Sequence, residues 1–382
     1  MKKSIILSVI IVCFVFIIIF SLFSSVSSQT IHLEDYNKAL YFMDKREYEK
    51  ALPYLEIAIK TDISSLKAQA YFQIGFCYGE LKSYTKAIEA YKQAIRINPD
   101  DADTHFFLGD AYYELGFYED AIEAYKQAIR INPEYANAHF NFGYAYYELG
   151  FYEDAIESFK QAIRINPDDA DTHYNLGFTY GKLNNHTKAI ESFKQAIRIN
   201  PDDADTHFFL GDAYYELGFY EDAIEAYKQA IRINPDDADA HCNLGIAYYE
   251  LGFYKDAIES FKEAIRIDPE YANAHYNLGV AYYELGFYKD AIEACKQAIR
   301  IDPDDADSYY NLGIAYGELG FYEDEIEAYK QVIRINPDDA DAHYNLGIAY
   351  LLIGDRNSAL NEYKILKNLD INFANELFDF IY

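Results

Sequence analysis

The sequence predicts an all-α solenoid built from helix–turn–helix units. Pro99, Pro133, Pro167, Pro201, Pro235, Pro269, Pro303 and Pro337 fall 34 residues apart, and Pro53 is the only other proline. Between successive prolines, apolar residues recur at helical spacing in two blocks separated by a glycine. The chain of 382 residues is 51% hydrophobic, so a formal net charge of −30 does not make it a disordered acidic tail. A fixed period of this length marks units that bury their apolar faces against neighbours, so one solenoid replaces the two or three globular domains that length alone suggests.

The first thirty residues form a separate element. Lys2 and Lys3 precede an apolar run over 5–23 in which only Ser8 and Ser21 are polar. As a helix this run spans about 28 Å, close to the ~30 Å hydrocarbon core of a bilayer. Its length favours a retained anchor, while Val26-Ser27-Ser28-Gln29 offers small residues to a signal peptidase, so 1–30 reads as a signal-anchor or a signal peptide. In both cases the lysines hold the N-terminus in the cytoplasm and the remainder is exported. The repeat domain is then extracytoplasmic on a membrane anchor, or secreted or periplasmic after cleavage.

The repeating unit is seen in residues 102–135, ADTHFFLGDAYYELGFYEDAIEAYKQAIRINPEY. Apolar spacing runs over 103–115, Gly116 interrupts it, and the pattern resumes over 119–131 and stops before Pro133. Glycine after one helix and proline after the next are stop signals. Asp100 and Asp101, or their equivalents, open the following helix, where carboxylates cap free N–H groups. Arg96, Arg130 and their equivalents lie in a last turn, where the helix dipole favours a cation. Gly109, Ala121 and Ala128 leave room for two helices to approach, and Leu108, Tyr112 and Tyr125 fill the space between them.

These residues, in this order and ending at Pro133, resemble the tetratricopeptide repeat (TPR). Nine full copies begin at Ala68, Ala102, Ala136, Ala170, Ala204, Ala238, Ala272, Ala306 and Ala340, so tandem repeats are expected over 68–373. A degenerate first copy over 32–67 keeps Tyr48, Ala51 and Ala58 but has Ala39 at the close-packing position and no closing proline. The ninth copy has Ile371 in place of its proline, and 374–382 reads as a C-terminal capping helix. The resemblance implies a right-handed superhelical solenoid. One departure is His at the early first-helix position where the family often has a bulky aromatic.

Chemistry is sparse in this sequence. The acidic balance opposes binding to nucleic acid or anionic lipid. His105, His139, His173, His207, His241, His275 and His343 recur every 34 residues, but equivalent positions in successive repeats lie farther apart than one zinc ion can bridge. Packing is the simpler role for them. Cys77, Cys242 and Cys295 sit at three different repeat positions and read as small core or surface residues, an exposed one being reactive in an oxidising compartment. The acid-rich turns lack the loop length and glycine of an EF-hand. Asn185-His186-Thr187 is a glycosylation sequon, usable only in a compartment that glycosylates. No catalytic constellation, metal site or cofactor motif is found. Known enzymes with such repeats carry a separate catalytic domain, and no residues remain here to build one, so the chain is expected not to be an enzyme.

In the family the first helix of each repeat lines the concave groove. The open stripe of that helix carries Phe106 and Tyr113 in one repeat, Phe140 and Tyr147 in the next, and Tyr215, Tyr249, Tyr276 and Tyr283 farther along, flanked by carboxylates. Rings beside carboxylates suit peptides with basic or aromatic side chains; the same rings are equally suited to packing between repeats. A second row, Asn141, Asn175, Asn243, Asn277, Asn311 and Asn345, precedes the Leu/Phe-Gly pair, and Asn is a poor helix-interior residue. Its amides can grip a peptide backbone, as in the asparagine ladder of the superhelical repeat region of O-linked N-acetylglucosamine transferase, or bridge adjacent repeats. Gln73, Phe107 and Phe209 interrupt the row. The family's carboxylate clamp needs groove Lys and Arg, and apart from Lys182 the positions here carry Asp, Glu and aromatics.

Residues 102–133 and 204–235 are identical, a sign of internal duplication. Variable repeat number fits a periodic surface better than one unique site. The expected function is therefore a non-catalytic scaffold that binds extended polypeptide in the groove. The alternative is a structural spacer or self-associating organiser of an envelope complex, without a peptide ligand.

Overall fold

Each helix stops where the sequence places its signal. Gly116, just past one helix, has φ +75°, a left-handed conformation that glycine adopts without a steric penalty. Lys82 and Asn184 hold the equivalent place in two other repeats at φ 55° and 54°, so the turn keeps its geometry where the glycine is lost.

The computed structural model describes residues 30–382, which are all-helical, with no strand among the described residues. Helix α1 covers 30–44, followed by α2 (Tyr48–Ala58), α3 (Ser64–Glu80), α4 (Tyr84–Ile97), α5 (Ala102–Tyr113), α6 (Tyr118–Ile131), α7 (Ala136–Glu148), α8 (Tyr152–Ile165) and α9 (Ala170–Lys182). The chain continues through α10 (His186–Ile199), α11 (Ala204–Glu216), α12 (Tyr220–Ile233), α13 (Ala238–Glu250), α14 (Tyr254–Ile267), α15 (Ala272–Glu284) and α16 (Tyr288–Ile301). It closes with α17 (Ala306–Glu318), α18 (Tyr322–Ile335), α19 (Ala340–Leu352), α20 (Arg356–Leu369) and α21 (Ile371–Ile381). Two compact units result, one ending at Asn185 and the other running from His186 to Tyr382.

Within each unit, consecutive helices pack as pairs, and the first helix of a repeat also touches the first helix of the next: α5 with α7, α7 with α9, α11 with α13, α13 with α15. The two helix types differ for this reason. α6 has one buried stripe, Ala121, Ala124, Tyr125 and Ala128, at i, i+3, i+4 and i+7. α5 is flanked on more sides and buries Thr104, Phe106, Leu108, Gly109 and Ala111 around most of its circumference. The pair closes on a ring: a Cβ added to Gly109 would stand 2.5 Å from Cε1 of Tyr125, which is 1% exposed. A lysine of most second helices then lies over a tyrosine of the next repeat, as Lys92 over Tyr112 and Lys228 over Tyr248, both at 5.3 Å.

The turn aspartates divide their work by what stands three residues on. Asp237 and Asp339 accept the backbone N–H of Ala240 (3.1 Å) and Ala342 (2.9 Å), as N-caps. Where that residue is threonine, its hydroxyl takes the carboxylate instead: Thr104 donates to Asp101, Thr172 to Asp169 and Thr206 to Asp203. The backbone capping expected of Asp101 is thus replaced by a side-chain bond.

At the C-terminus the last helix begins at Ile371, three residues earlier than the apolar pattern suggested, because Asp370 caps it by accepting N–H from Asn372 (2.8 Å) and Phe373 (3.1 Å). α21 packs on α19 and α20, and Leu377 occupies the space beside Gly347 that a ring of the second helix fills in most other repeats. Among the described residues no helix is long and apolar enough to cross a membrane. The apolar run over 5–23, on which the anchor and signal readings rest, lies outside the described residues.

Candidate functional site

The first helices of three repeats, α5, α7 and α9, leave a groove of about 600 Å³ in the first unit. Tyr113, Phe140, Tyr144 and Tyr174 supply its rings, and Asp110, Glu114 and Asp171 its carboxylates. Tyr113 lies 5.7 Å from Tyr144, which stacks on Phe140 at 6.2 Å. In the second unit a smaller groove of about 330 Å³ is lined by Asp212, Tyr215, Glu216, Tyr227, Asn243 and Ile246.

The asparagine row does not present six equivalent free amides. Four of the six amides take a partner that the preceding repeat offers. Asn141 Nδ2 donates to Asp110 at 2.8 Å and Asn243 Nδ2 to Asp212 at 3.1 Å. Asn345 donates to the Tyr310 hydroxyl at 2.9 Å, and Asn277 stands against the Cys242 thiol. These four are inter-repeat bridges. Asn175 and Asn311 turn to their own helices, donating to the carbonyls of Asp171 (2.8 Å) and Asp307 (3.1 Å), and Asn311 also meets the Tyr276 hydroxyl.

The aromatic residues divide in the same way. Phe106, placed on the open stripe by the sequence, is 8% exposed and packs on Tyr125 and Tyr135 in the core. Its helix is buried on more than one side, which a single-face reading overlooks. Tyr215, Tyr249 and Tyr283 donate across to Glu250 (3.5 Å), Glu284 (3.4 Å) and Glu318 (3.4 Å) of the following repeat. Burial, and then the facing carboxylates, push these three phenols up to about 12, so they stay protonated as donors. Tyr147 is half-buried between Tyr152 and Phe178. Tyr113 and Phe140 line the larger groove, while Tyr276 is half-buried beside Asn311.

Asp110 and Asp212 are among the acids that flank the rings, and helical periodicity alone does not set them apart. Tyr125 and Tyr227 each donate to these carboxylates at 2.7 Å, and burial raises both above the usual range, Asp110 to about 6, although the tyrosine and asparagine bonds work the other way. The available signal was acid at a repeat position that is otherwise apolar. The remaining candidates are structural. His105 and its equivalents each donate Nε2 to the carbonyl of their own turn proline, at 3.0 Å from Pro99 for His105 and 3.1 Å from Pro133 for His139. Cys77, Cys242 and Cys295 are buried free thiols pushed up to about 12, 11 and 12 by burial, and none is exposed for reaction.

The model of the TPR repeat matches residues 75–116, 109–150, 143–184, 182–218, 211–252, 247–286, 281–320 and 318–354. The chain belongs to the TPR repeat family. TPR repeats are interaction scaffolds, and that is the class of surface described above. A TPR repeat-containing protein from Cytophaga hutchinsonii is similar in fold, at 18% identity and TM-score 0.56 over 64% of this chain and 99% of that one. MamA is similar at 33% identity and TM-score 0.42, over 43% of this chain and 90% of its own. YrrB, described as a TPR protein with an unusual peptide-binding site, is similar at 24% identity and TM-score 0.45, over 50% of this chain and 99% of its own. No curated protein matches the chain.

Proposed function

We propose that this TPR chain is a non-catalytic scaffold that binds extended polypeptide along the face of its first helices, outside the cytoplasm. The groove of α5, α7 and α9 carries the reading: it is open, walled by Tyr113, Phe140, Tyr144 and Tyr174, and rimmed by Glu114 and Asp171. Rings and carboxylates together attract peptides with basic or aromatic side chains, and the charge of −30 adds long-range attraction that salt screens. Asn175 and Asn311 are the row members to contact a peptide backbone, because their Nδ2 groups donate to carbonyls of their own helices, Asn311 also meeting the Tyr276 hydroxyl of the preceding repeat.

Binding of the full chain to an array of extended peptides tests this. Affinity should fall with salt and fall in an Asn175→Ala, Asn311→Ala variant of unchanged helix content. Equal affinity in that variant removes the backbone-gripping role. Export rests on residues 1–30, and protease access to a C-terminal tag on intact cells or spheroplasts tests it.

A structural organiser is the second reading, and one observation favours it. Phe117, Phe151, Phe219, Phe253, Phe287 and Phe321 recur at one repeat position and are 48–53% exposed, each with one edge against a tyrosine. Sedimentation showing oligomers that persist in the groove variant, with no peptide captured, would favour this reading over the first.

A further inference from the structure

Residue 110 occupies a repeat position that is apolar nearly everywhere else. Its equivalents are Phe76, Tyr144, Phe178, Ile246, Val280, Ile314 and Ile348, and only Asp110 and Asp212 are acidic. A carboxylate in a half-buried, ring-lined site is costly unless something compensates it. Internal bonding alone does not account for it. The tyrosine that donates to Asp110 is also present as Tyr329 in the repeat where Ile314 replaces the acid, and it is buried there without it. The asparagine does not require the acid either, since Asn345 is satisfied by Tyr310 where Ile314 stands.

The bonds that do form leave half of each carboxylate open. Tyr125 and Asn141 both donate to Oδ1 of Asp110, and Tyr227 and Asn243 both donate to Oδ1 of Asp212. Among the described residues neither Oδ2 accepts a hydrogen bond, and each aspartate lines a groove. Two donors therefore share one oxygen of a carboxylate that lines each groove, and the second oxygen is left without a donor. No group of three His, Cys, Asp or Glu among the described residues is placed to hold a metal ion, and a single carboxylate beside aromatic rings suits an organic cation.

We propose that Asp110 and Asp212 are the anionic ends of two pockets, one in each unit, that each receive a Lys or Arg side chain of a bound polypeptide. This rests on the groove reading above and adds to it where the cations go. The first pocket is the larger, and Phe140, Tyr144 and Tyr174 give it flat faces on which a guanidinium can stack, so it prefers arginine. In the second, Ile246 stands where the first has Tyr144, so that ring face is missing and the carboxylate dominates recognition.

The test is calorimetry of the full chain with a short acetylated and amidated alanine–serine peptide bearing one central arginine. The control peptide carries citrulline, which keeps the shape and removes the charge. Asp110→Asn and Asp212→Asn keep an acceptor for the tyrosine and asparagine donors, so thermal melts should change little. Each single variant should lose one class of site, and the double variant should bind the arginine peptide at least ~10-fold more weakly, the scale of a charge-assisted hydrogen bond. Citrulline should bind the unaltered chain no better than arginine binds the double variant. Equal binding of arginine and citrulline, unchanged affinity in the double variant, or no arginine binding to the unaltered chain overturns the proposal. A neutral tyrosine-containing peptide separates the two readings. If the arginine peptide does not bind, while the unaltered chain binds the tyrosine peptide and the Asn175→Ala, Asn311→Ala variant does not, the groove stands without the pockets; if the unaltered chain binds neither peptide, both fail.

Discussion

Single residues that break the repeat pattern carry most of the electrostatic strain. Glu325 stands where the eight other full repeats have alanine, next to Gly317, which stands where most have tyrosine. The glycine makes room for the acid, but Glu325 is 7% exposed and its Oε2 has no hydrogen-bond partner. Burial, and after it the Glu318 carboxylate, raise its value from 4.5 to about 7. A carboxyl that binds its proton more tightly when folded leaves folding unpenalised below pH 4.5 and increasingly penalised as pH rises to about 7. Glu325→Ala should therefore raise stability by about 1–3 kcal/mol at about pH 8 and have little effect near pH 4, read from urea melts across that range. His343 acts in the same direction. Burial lowers its value, but Glu362 at 2.6 Å and the Pro337 carbonyl outweigh that and raise it above 6.5. Its contribution is complete below 6.5 and is lost as pH rises through the higher folded value, so the C-terminal repeats should be most stable in mild acid.

At the scale of the helix pair, glycines at two positions have opposite consequences. Gly109 faces the ring of Tyr125, a buried side chain held by Asp110, so added bulk has to move a packed aromatic. Gly181, in the last turn of α9, has nothing within 4 Å of an added Cβ. Gly109→Ala should cost about 1–3 kcal/mol, and Gly181→Ala should gain up to ~1 kcal/mol, compared in chemical denaturation of the two variants. Such elements were legible in the sequence because period, caps and glycines repeat together: Gly109, Ala121 and Ala128 announced close packing before any coordinates. The row of asparagines was legible as a row but not in its roles. Whether Asn141 bridges and Asn175 does not depends on the residues 31 and 35 positions earlier, Asp110 and Phe106 in one case and Tyr144 and Phe140 in the other. Helical periodicity says which residues share a face, whereas side-chain partners across repeats depend on the approach of neighbouring helices. Phe106 was misplaced for the same reason.

Among the described residues, the helix contacts within each unit run between helices that are near in sequence, so stability is a chain of neighbour terms rather than one shared core. The acidic excess and the tyrosine count follow from that additive construction, since each copy brings the same few residues. In such an array the last described repeat packs on α21 where the others pack on another repeat. In α21, Leu377 is fully buried against Gly347, with Ala374 and Ile381 in the same cluster around Leu366. Leu377→Ala should cost about 2–5 kcal/mol locally, as in other large-to-small core changes. In a neighbour-coupled array that loss should not spread evenly. Amide hydrogen exchange should quicken in α19, α20 and α21 and stay near its original rate in α11 to α14, whereas a cooperative single core would show equal acceleration throughout.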